Sequence, residues 1–582
     1  MSILKELIND LKDNLKKAGY EVENLAIEPS NRRDLGEYQL NDAMQLAKTY
    51  HENPRVIAEK IVKELEQDDR FENINIAGPG FINISLSKKY SIEILNRMNK
   101  DIFENIDKKD YKKVIIDYGG ANVAKALHVG HLRSANLGEA LKRLARTLGY
   151  EVLGDAHLGD YGRPLGLVIT EIKKMYPELP YFDENYQGNY EELTLPITNE
   201  DLEKIYPLAS NKAKEDEEYL EEARIITNKF QEHEKGYYEL WKKIVEISKE
   251  DIKKTYDILN TEFDIWNGES DEMEYFDELI KICKEKNALE ESEGAQVINV
   301  SEENESSPMP PLIMIKTNGA KSYDSTDLAT ILERERTHHP DEMWYVVDAR
   351  QGLHFEQEFR AARKINLLPE KTILEHIGFG TMNGKDGKPF KTRDGGVMTL
   401  KNLIEIVKQE TLSKITNEAI KEEDRENVAM DVAIAAIKYA DFLSFRATDY
   451  IFELEKFTDL EGKTGPYLLY STIRMKSLLN KGENERKEEV KELKGEQEKE
   501  IVLTLLELPT ILNKTMETKS MNDIAEFLYN LTSNYNKFYA ENKILTEENE
   551  DLRESWLALT NVVYKVNTML LEILGIKIPE KM

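Results

Sequence analysis

Two histidines, His128 and His131, flank Gly130 in the stretch KALHVGHLR (125–133). Only nine histidines occur in 582 residues, so the pairing asks for a chemical reason. At i and i+3 of a helix two imidazoles lie on one side. A helix N-terminus leaves backbone N–H groups unpaired, and its dipole favours anions. Gly130 keeps that side open to a flat ring or a phosphate. Such a site would bind nucleotide phosphates and stabilise charge in a phosphoryl transition state. Lys125, just before the pair, could reach the same phosphates. The plainer reading makes both histidines caps or surface residues, and for an isolated H-x-G-H that reading is the better one. Zinc is a poor match, with neither a third ligand nor a cysteine nearby.

The elements that would position the pair shift the balance. VIIDY (114–118) is a short, continuous apolar run of the kind that forms a buried parallel strand. The glycines of GGAN follow, then a helix from about His131 to Leu148. Leu137, Leu141, Leu144, Ala145 and Leu148 share its face, and Gly149 ends it. YEVLGDAH reads as the next strand. This order is a β-loop-α-β unit, the start of a doubly wound sheet.

Around that unit the chain divides. Residues 1 to about 90 read as a small α+β domain. It has a helix over Ile3–Ala18, a second helix capped by Asn53 with Pro54 first, and two strands around the Gly-Pro-Gly of INIAGPGFINISLS. NKDIFENIDKKDYKK reads as a linker. Residues 108–400 carry the sheet, with an acidic, mainly helical insertion over about 170–290. Strand patterns return in AQVINV, LIMIK and MWYVVDA. Residues 401–582 are almost all helical, with NKGENERKEEVKELKGEQEKE as a solvated helix or loop within them.

Hydrophobic residues make up 40% of the chain and charged residues 32%, ordinary for a protein with real cores. The net charge of −31 disfavours non-specific nucleic-acid binding, so any basic surface must be local. Cys283 is the single cysteine, which excludes an internal disulfide framework and a multi-cysteine zinc site. No stretch approaches the ~20 apolar residues of a membrane span. The N-terminus lacks the apolar core of a signal peptide. A cytoplasmic protein without a membrane partner is expected.

IDYGGANVAKALHVGHLRSANLGEALKRLARTLGYEV resembles the nucleotide-binding signature of the class I aminoacyl-tRNA synthetases, whose motif is H-x-G-H. The longer frame, followed by HLGDYGRPLG, resembles the arginyl-tRNA synthetase family in particular. So do YQLNDAMQLAK near the N-terminus, ESEGAQVI, YDSTDLAT, DARQGLHFEQEF, GKDGKPFKTRDGG and LEGKTGPYLLYSTIR. Several such pieces in the right order make a specific signal. The resemblance implies a Rossmann-type α/β catalytic domain with a helical insertion, an α+β N-terminal add-on domain and an all-α C-terminal anticodon-binding bundle. It implies ATP-dependent attachment of L-arginine to tRNA(Arg) through an arginyl-adenylate. ATP enters with Mg²⁺, pyrophosphate and AMP leave, and no structural metal is expected.

The resemblance also places residues. His128, Gly130, His131 and Lys388 match positions that contact ATP. Lys125, Lys391 and Arg393 share a cationic role toward the pyrophosphate, because the loop GKDGKPFKTRDGG departs from the K-M-S-K-S form of most class I enzymes. An arginine guanidinium offers five donors in a fixed fork, which carboxylates match best. Asn122, His131, Glu291, Tyr323, Asp327 and Gln351 match the substrate pocket. Asp327 could equally cap a helix over LATILERER, and KDGK alone reads as a solvated turn. For tRNA the candidates are Tyr38 and Asn41 in the N-terminal domain, with Tyr467 and Arg474 in the helical domain. Aromatics there could stack on unpaired bases, although any one tyrosine more often packs between helices. A monomer is expected. Two rivals remain: a paralogue that kept the fold and lost catalysis, and another class I enzyme with the same signature. GGAN itself departs from the family's usual Ser/Ala-Pro-Asn, which puts the fine geometry of the loop before Asn122 in question.

Overall fold

Four parallel strands form the centre of the computed structural model: β1 (Lys113–Asp117), β2 (Glu151–Asp155), β3 (Glu342–Tyr345) and β4 (Ile373–His376). Their order is β4-β3-β1-β2. The structure describes residues 2–582 except 31, 33, 303, 304, 306, 318, 320, 389–397, 416–419 and 483–488, and only the backbone of Tyr323. Val114, Ile115 and Ile116 are fully buried, as a strand covered on both faces must be. The crossover from β1 to β2 is helix α1 (Val129–Thr147). Its Leu137, Leu141, Leu144 and Ala145 face the core. The chain leaves β1 toward β2 on one side and places β3 on the other. That reversal opens a crevice at the carboxyl ends of β1 and β3, where open α/β sheets bind ligands.

Close contact between α1 and the sheet depends on one glycine. A Cβ built on Gly138 would lie 2.2 Å from Cγ of Tyr118. Tyr118 follows β1, is fully buried, and its hydroxyl, with one proton to donate, lies 2.8 Å from Glu139 Oε2 and 2.7 Å from the Glu262 carbonyl. It has nowhere to move. Gly138→Ala is therefore expected to destabilise by about 1–3 kcal/mol or more, read as a lower urea midpoint at unchanged slope.

Strand pairing and a helix start differ from the reading of the sequence. AQVINV and LIMIK do not join the parallel sheet. Ala295–Ile298 and Leu312–Ile315 pair antiparallel with each other, and Leu289–Ser292 completes a separate three-stranded sheet. An apolar run shows that a strand is buried, not which strand it pairs with. The fourth parallel strand, β4, carries no strand pattern in the sequence. It lies at a sheet edge with half-exposed residues, and so lacks the apolar run that betrays a central strand. Asp327 is no helix cap: α2 (Tyr323–His338) begins four residues earlier, after Ser322.

Beyond the sheet lie α3 (Gly352–Lys364), α4 (Leu400–Lys414) and α5 (Glu422–Phe442). The helical C-terminal part follows as α6 (Gly465–Lys481), α7 (Glu496–Thr518), α8 (Asn522–Glu541) and α9 (Glu550–Ile573). The insertion between β2 and the small sheet is built mainly from Asn199–Glu215, Glu217–Gln231 and Lys235–Ile258. The N-terminal α+β unit has a four-stranded antiparallel sheet under three helices and leads into the helix Lys88–Lys100.

The stretch read as a linker is docked. Asn105 donates to the Leu505 carbonyl on α7 (2.8 Å), and Asn561 on α9 donates to Asn99 (2.8 Å). The described part of the stretch read as solvated, from residue 489 on, is docked too. Val490 and Leu493 are buried, and the Asn96 side chain bonds both the N–H and the carbonyl of Val490. Lys499 on α7 pairs with Glu37 (2.7 Å) and Glu72 (2.9 Å). Amide side chains bonding main chain across a boundary give two domains one relative orientation, which charge composition alone does not reveal.

Candidate active site at the carboxyl ends of the parallel strands

The helix start carries the paired histidines as its own caps. His128 is the N-cap residue, and its Nδ1 accepts from the Gly130 N–H (3.0 Å). His131 Nδ1 accepts from the His128 N–H (3.0 Å), completing a capping box. Burial and the Lys125 charge push His128 below the ordinary imidazole range. Burial and the His128 ring hold His131 well below it. Both rings are thus neutral at physiological pH. With Nδ1 of each accepting, the single proton of each ring sits on Nε2. The capping reading and the ligand reading are therefore compatible, because the cap fixes the tautomer that leaves two N–H donors. The rings lie 4.0 Å apart, tilted by 34°. Gly130 is required by the cap itself: a Cβ there would lie 2.8 Å from Cε1 of His128.

The helix start is held at the crevice. Ser134, one turn on, accepts from the Gly119 N–H (2.8 Å) and donates to the Val346 carbonyl beyond β3 (2.7 Å). The departure at GGAN has its reason in packing. Gly119 has φ 67°, and a Cβ on it would lie 2.8 Å from Phe263, just past the last long helix of the insertion. Asn122 pairs with Gly159 of the next loop, where a Cβ would meet its Oδ1 at 2.5 Å. The Lys125 ammonium lies over the Tyr206 ring of the insertion at 4.4 Å. The cationic loop leaves the short strand Met382–Asn383, and Lys388 closes its first turn by accepting from the Gly384 N–H (2.8 Å). Beyond the loop, Thr399 pairs with His128. Lys391 and Arg393 lie outside the described residues.

A second cluster sits on α2 and α3. His354 Nε2 bonds Asp327 Oδ2 (2.7 Å), and its Nδ1 faces Asp324 Oδ1 at 3.4 Å. Burial opposes charge on His354, but the bonds from Asp324 and Asp327 raise it to about 9. Burial raises Asp327, against the pull of His354 and His157. Below them, Arg334 is buried and bridges Asp117 (2.7 Å) and Asp155 (2.6 Å) at the ends of β1 and β2. Tyr323 opens α2, and Gln351 ends the turn just before α3. Glu291 stands apart: it is exposed on Leu289–Ser292, two strands from the one that touches α2.

The tRNA candidates divide as well. Tyr467 and Arg474 share Asn536, which donates to the Tyr467 hydroxyl (2.8 Å) and accepts from Arg474. The Arg474 guanidinium lies over Tyr539 at 4.5 Å, and Tyr470 beside it is 44% exposed. Tyr38 is buried at 7% exposure within the N-terminal sheet. Asn41 precedes the helix Asp42–Tyr50 without a side-chain capping bond.

Residues not singled out by sequence include His157, Glu272, Arg334, His354 and Glu358. Two of these histidines lie inside quoted motifs, HLGDYG and QGLHFEQEF, and that was the available signal. Glu272 is 1% exposed, and neither of its carboxyl oxygens has a hydrogen-bond partner. Burial, against the pull of His157, pushes it up to about 8. The folded protein then keeps a proton that the unfolded chain releases near pH 4.5. Stability from this group is full below about pH 4.5 and is lost as pH rises to about 8. Glu272→Gln is expected to flatten that slope and to gain roughly 2–3 kcal/mol near pH 8, measured by urea unfolding across pH.

Comparison with known proteins bears on this arrangement. Residues 93–454 match the family described as tRNA synthetases class I (R), catalytic domain. Residues 5–86 match the arginyl tRNA synthetase N terminal domain, and 468–582 the DALR anticodon binding domain. The arginine–tRNA ligase of Agathobacter rectalis is 41% identical over 598 residues, covering both chains fully. The chain belongs to the arginyl-tRNA synthetase family. Another member, the arginine–tRNA ligase of Alkaliphilus oremlandii, is 42% identical, again over the whole of both chains. The arginyl-tRNA synthetase of Plasmodium falciparum is similar in structure at a TM-score of 0.78 and 25% identity, covering 100% of this chain and 99% of that one. The Thermus thermophilus enzyme shares the fold at 0.74. Among the described residues no helix is long and apolar enough to cross a membrane.

Proposed function

We propose that this protein joins L-arginine to tRNA(Arg) in two steps on the crevice above β1 and β3. The arginine carboxylate attacks the α-phosphorus of ATP, which enters with its Mg²⁺, and pyrophosphate leaves. A hydroxyl of the terminal adenosine of tRNA then attacks the arginyl carbonyl, and AMP leaves. The observation that carries this reading is the pair of neutral imidazoles whose Nε2–H donors stand at a helix N-terminus. Donors fixed before the reaction begins stabilise charge on the phosphoryl oxygens without reorganising. Neutral rings, moreover, do not have to give up a proton.

In this reading His128, Gly130, His131 and Lys388 receive ATP. Lys125, Lys391 and Arg393 neutralise the departing pyrophosphate, with Lys125 leaving its place over Tyr206. Asn122 holds the α-amino or carboxylate end of arginine. Tyr323, Asp327 and Gln351 take the guanidinium end, and Glu291 contributes only if the small sheet moves toward α2. Tyr467 and Arg474 belong to a half-exposed aromatic and cationic face on α6 and α8 that suits unpaired bases. That face supplies a local tRNA surface on an acidic protein. Tyr38 and Asn41 of the N-terminal domain serve the tRNA elbow. The protein acts as a cytoplasmic monomer.

Charging of tRNA with each radiolabelled amino acid, with ATP and Mg²⁺, tests the reading. Arginine alone should be attached. Attachment of a different amino acid would place the chain's activity elsewhere in class I. No attachment by folded protein that still binds tRNA would mark an inactive paralogue.

A further inference from the structure

Asp327 has an unusual set of neighbours for a carboxylate that must stay ionised. On its own helix it shares His354 with Asp324. From the ends of β1 and β2 it faces Asp117 and His157, and from the segment that follows the insertion's last long helix it faces Glu269. From α3 it faces Glu358, which is 1% exposed and has no hydrogen-bond partner on either oxygen. Four acids therefore surround it. Of the nearby cations, Arg334 is already committed to Asp117 and Asp155. His354 is the cationic group bonded directly to Asp327, at 2.7 Å.

We propose that His354 is a positioning residue for amino-acid recognition: clamped between Asp324 and Asp327, it fixes Oδ2 of Asp327 and presents Oδ1, ionised, to the guanidinium. The inference rests on the reading of Asp327 as part of the arginine pocket. Its physical content is a balance of charge. Burial and the acids Asp117, Asp324 and Glu269 favour protonation of Asp327. The His354 imidazolium opposes them, because each of its two N–H groups faces a carboxylate, Nε2 on Asp327 and Nδ1 on Asp324. Burial and the same two aspartates also raise Glu358 well above the usual carboxylate range, so Glu358 remains neutral and adds no fourth charge. A neutral Asp327 would offer the guanidinium one weak acceptor in place of a charged pair.

Two variants separate position from charge. His354→Gln can keep a donor toward Asp327 but carries no charge. His354→Ala keeps neither. The measurements are KM for arginine, KM for ATP and kcat in tRNA charging at three pH values from about 6.5 to 8.5, with arginine Kd by equilibrium dialysis. Wild-type KM for arginine should be flat across this range. In both variants it should rise by about tenfold or more at the acidic end, the size of a lost charge-assisted bond. It should fall again as pH rises and Asp327 ionises. KM for ATP should not move, and kcat should change much less than KM. His354→Gln should be the milder at every pH.

Unchanged arginine KM in both variants overturns the proposal, as does an equal loss of kcat at every pH. Asp324, His354 and Glu358 place their ligand-type atoms within 4.8 Å of one another, so purified protein should also be analysed for metal. A stoichiometric metal lost in His354→Ala would overturn the imidazolium reading. Should wild type charge no amino acid yet bind arginine, the dialysis series still decides the role of His354. Wild type that neither charges nor binds arginine overturns both readings.

Discussion

Replacing His131 with asparagine lowers the rate of arginine charging by about 10²–10³-fold, the usual cost of one lost donor to a developing oxyanion, while leaving the helix start intact. The argument is geometric. His131 does two jobs with its two nitrogens. Nδ1 accepts the His128 N–H, which leaves the ring's proton on Nε2. The Oδ1 of asparagine lies close to where Nδ1 stood, so the capping bond survives. The Nε2 donor does not. His131→Ala removes both functions and should lose as much activity. It should also lose about 1 kcal/mol of stability, the typical worth of a cap. Charging kinetics and urea midpoints measured on the two variants separate the roles. Equal activity of wild type and His131→Asn would show that Nε2 does nothing in the reaction, leaving the pair as caps alone.

The second large effect lies behind the signature helix. Arg133 is 1% exposed, and Asp441 on α5 is fully buried. Arg133 Nε donates to Asp441 Oδ1 (2.8 Å), and one terminal nitrogen donates to the Gly380 (2.7 Å) and Thr448 (3.2 Å) carbonyls. Its guanidinium also lies over the Tyr450 ring at 5.0 Å. Tyr450 belongs to the two-residue strand beside Met382–Asn383, from which the cationic loop departs. One side chain therefore joins the histidine-bearing helix, α5 and the base of that loop. Arg133→Met strands a buried carboxylate and is expected to cost about 3–5 kcal/mol. Pairing it with Asp441→Leu removes the stranded charge, so the double variant should recover much of that loss. Charging should remain impaired in the double variant, because the carbonyls of Gly380 and Thr448 lose their shared donor. Denaturant unfolding and charging rates on the four proteins of the cycle test both statements. Additive losses in stability would refute the coupling.

What could be read without coordinates followed from local rules. The apolar run at 114–118 specifies a buried strand in any context, and Asn53 caps its helix through its own side chain. Histidines at i and i+3 share a side because a helix turns 3.6 residues per cycle. Motif order across the chain carried the family. Tertiary structure decided what depends on partners distant in sequence. Whether AQVINV joins the parallel sheet depends on strand pairing, which an apolar run does not encode. Tyr38 and Tyr470 are the same residue type, yet one is buried in a sheet and the other stands 44% exposed on a helix. The Arg133–Asp441 pair spans 308 residues. Most of all, the charge state of the pocket was set by packing. His354, Asp327, Glu358 and Glu272 are ordinary titrating side chains in sequence. They acquire shifted protonation only when folding removes water from around them and fixes which opposite charges stand nearby.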